Sequence, residues 1–150
     1  MAGAADIAWM RRAIALARPR VGETGSNPAV GCVIVRDGAV VAEAATAAGG
    51  RPHAEEQALA LAGEAARGAD VFVTLEPCGE RSSGAPSCAE RLAGAGVARV
   101  AIACPDPSPK ASRRGLERLA ASGVAVEEAV LTAEAAELYT AYLETLPRRR

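Results

Sequence analysis

Lysine, histidine, asparagine and glutamine are nearly missing from this chain: Lys110, His53, Asn27 and Gln57 are the only ones of their kind. Residue types this scarce mark the places to inspect. Aromatic residues make up 3% of the 150 positions, so a core must be built from Ala, Val, Leu and Ile. No side of the charge balance dominates. Seventeen basic against eighteen acidic residues leave −1, which gives no electrostatic case for gripping a nucleic-acid backbone. No apolar run reaches the roughly 18 residues of a membrane span, and the N-terminus has no apolar h-region with a cleavage site. The expected location is therefore cytoplasmic, where cysteine pairs bind metal more often than they form disulfides. The length fits one domain over residues 1–150.

What is present is a regular alternation of helical and strand patterns. Ile7, Met10, Ile14 and Ala17 recur at helical spacing in a first helix. The stretch AVGCVIVRDGAVVAEAA predicts a hairpin turning at Asp37-Gly38. HAEEQALALAGEAARG predicts a helix with Ala58, Leu59, Leu61 and Ala62 on its apolar face, ended by Gly68. DVFVTLEP and VARVAIACPDP are buried-strand patterns, and SCAERLAGAG and RRGLERLAASG short helices. VAVEEAV is a last strand, TAEAAELYTAYLETL a closing amphipathic helix, and Arg148-Arg149-Arg150 a solvated tail. This order predicts a three-layer α/β/α sandwich on a mixed five-stranded sheet, an opening hairpin followed by parallel strands.

Two of the four cysteines, Cys78 and Cys88, flank a loop of polar and small residues, GERSSGAPS. A cysteine in such a loop is not a small core hydrophobe, whereas Cys32 and Cys104 sit in apolar strands and are expected to be core thiols. Ser87 with Glu90 three residues later forms a capping-box signature, which puts Cys88 in the first turn of a helix. Pro52 precedes His53 and Glu55 at another helix start. Unpaired N–H groups and the positive end of the helix dipole favour a thiolate there. One His and two Cys supply three zinc ligands and leave the fourth position of a catalytic site for water. Two residues beyond the His, Glu55 can handle protons without ligating, as in zinc deaminases.

P-H-A-E at 52–55, T-L-E-P-C at 74–78 and Cys88 together resemble the cytidine-deaminase-like superfamily. S-N-P-A-V-G-C-V-I-V at 26–35, the long cysteine loop and G-V-A-R-V…D-P-S-P at 96–109 resemble, within it, the deaminase domain of the riboflavin-pathway deaminase–reductase. The resemblance implies that His53, Cys78 and Cys88 hold one Zn2+ and that Glu55 is the catalytic acid and base. It implies hydrolysis of an exocyclic amine on a diaminopyrimidine that carries a ribosylamino 5′-phosphate. The family uses the Asn at position 27 to hydrogen-bond substrate.

Further expectations concern specificity. Thr46 stands at a substrate-facing position where the family carries a Trp-His pair, and the backbone N–H of Ala54 is expected at the site. Arg81, Arg113 and Arg114 are candidates for meeting a phosphate. The expected partners are a small aminopyrimidine or nucleobase, a second copy of the chain in a homodimer or higher homo-oligomer, and a separate reductase of the same pathway. No nucleic-acid or membrane partner is expected, and no reductase domain is expected within residues 1–150. Two alternatives stand beside this: a deaminase of cytosine, cytidine or guanine type, and an inactive zinc-holding subunit.

Overall fold

In a computed structural model the described residues are 3–81, 84–108, 111 and 113–146. The first helix, α1 (Ala4–Ala17), buries Met10, Ala13, Ile14 and Ala17 along one stripe. Strands β1 (Gly31–Arg36) and β2 (Ala39–Ala45) form the expected hairpin. Asp37 and Gly38 both take positive φ, 52° and 76°, as a two-residue hairpin turn of the primed type requires. Next come α2 (Ala54–Ala62), β3 (Asp70–Leu75), α3 (Cys88–Gly94), β4 (Arg99–Cys104), α4 (Arg114–Ala121) and β5 (Ala125–Glu127). Two short helices, α5 (Thr132–Ala136) and α6 (Thr140–Glu144), close the described chain.

The five strands lie in the order β2-β1-β3-β4-β5. β1 runs antiparallel to both β2 and β3, while β3, β4 and β5 are parallel. The parallel pairs are joined by crossovers through α3 and α4, as parallel strands require. The direction of β1 has a consequence for function. The segment entering β1, the segment leaving β2 and the loops after β3 and β4 all emerge at one end of the sheet. Ligand sites of open α/β sheets form at the carboxyl ends of parallel strands, where the strand order changes.

Helices cover both faces. A Cβ at Gly31 would lie 1.9 Å from the Ala13 carbonyl oxygen, so α1 rests directly on β1 there. The next residue, Cys32, points to the opposite face, where the charge of Glu55 on α2 reaches it. The Tyr139 and Thr74 hydroxyls share a 2.6 Å hydrogen bond, and the Thr74 hydroxyl accepts from the Gly31 N–H at 3.0 Å. The C-terminal segment therefore packs on the α1 face. The core is aliphatic and alanine-rich, with Phe72 and Tyr139 its buried aromatics among the described residues. Arg99 at the start of β4 bonds both Asp6 of α1 and Asp70 of β3, and pins the end of the sheet opposite the site.

Three details differ from the sequence expectations. Leu61 is 70% exposed, so the apolar face of α2 is formed by Ala54, Ala58 and the half-buried Leu59 and Ala62. α2 ends at Ala62 and continues as a 3-10 turn over Gly63–Ala66, before Gly68. The closing helix is split by a 3-10 turn at Glu137–Tyr139, where the Tyr139 side chain is drawn under the sheet to Thr74. The C-terminal arginine run lies outside the described residues. Among the described residues no helix is long and apolar enough to cross a membrane.

Candidate metal centre and the cavity above it

His53 is the N-cap residue of α2 and Cys88 the first residue of α3, so two helix starts face one another. Ser87 caps α3 by accepting from the Glu90 N–H at 3.1 Å. Cys78 follows the β3 loop and accepts from the Cys88 backbone N–H at 3.2 Å. That is the anion-favouring placement a helix start provides. His53 Nδ1 lies 3.4 Å from Cys88 Sγ, and the donor atoms of His53, Cys78 and Cys88 all lie within 4.8 Å of one another. Tetrahedral zinc with these ligands separates its donor atoms by about 3.5–3.8 Å. The donor set fits zinc in both chemistry and spacing. All four cysteines are free thiols.

Electrostatics agree with a ligand pair. The hydrogen bond from Cys88, helped by His53 and the Cys88 N–H, brings the Cys78 thiol down to about 4. Sharing that bond and being buried pushes Cys88 up. Glu55 is only 4% exposed, and burial together with the charge of Cys78 raises its carboxyl to about 7.

A cavity of about 200 Å³ opens above these groups. Its lining includes His53, Glu55 and Cys78, together with Asn27, Thr46 and Arg81, which the sequence singled out. Asn27 Nδ2 donates to the Gly50 carbonyl at 2.9 Å. The Thr46 hydroxyl accepts from the Val30 N–H at 2.9 Å, which staples the end of β2 to the entry of β1. Ala54 is fully buried and is not part of the lining. Arg81 pairs with Glu56, and its Nε is buried with no hydrogen-bond partner among the described residues.

Arg113 and Arg114 do not reach the cavity. Arg113 pairs with Glu128 at the surface, and Arg114 with Glu80, which itself lines the cavity. Local acids take up their charge. In their place the lining contains Arg51, which the sequence did not single out, along with Glu76, Asp106, Ser108 and Tyr142. Glu76 accepts from the Arg113 N–H at 2.6 Å, and Asp106 accepts from Ser108 N–H and the Tyr142 hydroxyl. Burial raises both carboxyls. The acid in T-L-E-P-C and the acid in D-P-S-P were visible signals; Arg51 carried none beyond its place two residues before His53.

Comparison with known proteins agrees with this geometry. Residues 4–104 match the family described as the cytidine and deoxycytidylate deaminase zinc-binding region. The chain belongs to that family of zinc-binding deaminases. Its relatives include proteins named for riboflavin biosynthesis. It is 41% identical over 129 residues to the diaminohydroxyphosphoribosylamino-pyrimidine deaminase of Buchnera aphidicola, covering 86% of this chain and 87% of that one. It is 43% identical over 141 residues to the Escherichia coli riboflavin biosynthesis protein RibD, covering 94% of this chain and 38% of that one. The solved structure of Acinetobacter baumannii RibD superposes with a TM-score of 0.87 at 43% identity, covering 93% of this chain and 39% of that chain. The chain thus spans well under half the length of these RibD relatives.

Proposed function

We propose that this chain hydrolyses the exocyclic amine of a diaminopyrimidine bearing a ribosylamino 5′-phosphate, and releases ammonia. The observation that carries the proposal is the setting of Glu55, a buried carboxyl kept out of the ligand set yet lining the same cavity as His53 and Cys78. A structural metal site needs no such proton carrier, which argues against an inactive subunit. Zinc held by His53, Cys78 and Cys88 would supply a water acidic enough to react at neutral pH. Glu55, raised into the neutral range, takes one proton from the attacking water and delivers it to the ring nitrogen, then takes the second from the hydroxyl now on the ring carbon and gives it to the departing amine. Oxygen replaces nitrogen on the ring carbon, and the second product is ammonia.

The remaining lining orients the substrate. With Nδ2 committed to Gly50, Asn27 presents its amide oxygen to a ring or amine N–H. Thr46 shapes the wall; its hydroxyl is already engaged with backbone. The phosphate end meets Arg51 and Arg81 at the mouth. A second copy of this chain and a reductase acting on the product complete the proposed partners. The test is a panel assay for ammonia with the ribosylamino-pyrimidine 5′-phosphate, its dephosphorylated form, cytosine, cytidine, deoxycytidine monophosphate and guanine. The phosphorylated pyrimidine is expected to win by about tenfold or more, the scale of one charge-assisted contact. Preference for cytosine, cytidine or guanine would overturn the substrate assignment.

A further inference from the structure

The metal ligands come from three separate stretches: the start of α2, the loop after β3 and the start of α3. The Cys88 N–H to Cys78 bond ties the last two together, and a residue outside the ligand set adds a tie to all three. Glu56, in the first turn of α2, touches all three. Its Oε1 accepts from the His53 backbone N–H at 3.3 Å and lies 4.0 Å from His53 Nδ1. The same carboxylate accepts from Arg81 Nη2, in the loop between the two cysteines. Its Oε2 lies 3.7 Å from Arg91 Nη2 on α3. Arg91 in turn donates from Nε to the Pro86 carbonyl at 3.3 Å, two residues before Cys88.

These are not loose surface pairs. The side chains of Glu56 and Arg81 are 17% and 8% exposed, and Arg81 lies close enough to feel the charge on both thiols. A paired carboxylate so placed is costly to truncate, because two guanidinium groups lose their counter-charge beside the ligands. Residues behind a metal's ligands set their orientation, and losing one commonly lowers metal affinity by about 10–100-fold.

We propose that Glu56 is a positioning residue for the metal centre: one carboxylate clamps the His53 turn, the Cys78–Cys88 loop and the first turns of α3 in the spacing zinc requires. The inference rests on the zinc assignment above. Glu56 neither ligates nor lines the cavity, so its effect falls on metal retention before chemistry.

The experiment is zinc competition against a chromogenic chelator for wild type, Glu56→Ala and Glu56→Gln, with melting temperatures of the zinc-free proteins alongside. Glu56→Ala is expected to weaken zinc binding by about 10–100-fold. Glu56→Gln keeps an oxygen for the His53 N–H but removes the counter-charge of both arginines, so an intermediate loss is expected and folding is not at risk. The zinc-free melting temperatures are expected to fall as the arginines lose their counter-charge, but by less than the zinc-bound ones. Unchanged zinc affinity in both variants would overturn the clamp, as would an affinity loss that merely tracks a fall in zinc-free stability. Failure of the wild type itself to bind zinc would instead refute the metal centre, a separate result.

Discussion

Glu55 and Glu56 are neighbours on one helical turn, and the fold gives their carboxyls different surroundings. Glu55 turns into the cavity, where burial and the Cys78 charge raise it to about 7. Glu56 is also raised by burial, but the bonds from Arg81 and the His53 N–H outweigh that and hold it low. The first was legible in the sequence because it stands two residues from the only histidine. The second was not, since acids in the first turn of a helix are ordinary. Side-chain direction also decides the arginines. Arg113 and Arg114 carried the sequence signal that Arg51 lacked, yet their guanidinium groups are taken up by Glu128 and Glu80. Arg51→Ala should therefore lower the preference for the phosphorylated pyrimidine by about tenfold and leave the dephosphorylated rate alone. The same loss from Arg114→Ala, with none from Arg51→Ala, would reverse the assignment.

The elements themselves were largely legible, because periodicity and turn residues are local properties. The hairpin turn, both ligand-bearing helix starts and the buried strands fall where the pattern put them. Where elements end, and how closely they approach one another, is decided by packing. Gly115 in α4 illustrates this: a Cβ there would lie 2.0 Å from the Pro77 carbonyl oxygen. α4 is thus pressed against the backbone that presents Cys78. Gly115→Ala is expected to destabilise the protein by about 1–3 kcal/mol or more through overpacking. It should also lower zinc content, because the shift falls on a ligand. A calorimetric melt with metal analysis checks both; wild-type values for each would show that the contact relaxes without moving Cys78.

At the scale of the molecule, one topological fact assembles the site. Reversal of β1 against a parallel β3–β5 brings Asn27, Thr46, His53, Cys78 and Asp106 to the same end of the sheet from distant parts of the chain. The α/β/α architecture followed from the alternation of patterns, whereas Asp106 and Tyr142 joining the cavity wall did not. Their approach depends on the split closing helix and the buried Tyr139 anchor. The central claim is that this end of the sheet holds zinc in order to move protons through Glu55. The most direct measurement is ammonia release by Glu55→Gln from the ribosylamino-pyrimidine 5′-phosphate, with zinc counted per chain in the same sample. The expected result is one zinc per chain retained and a rate at least about a hundredfold below wild type. Turnover near the wild-type rate with zinc in place would contradict it.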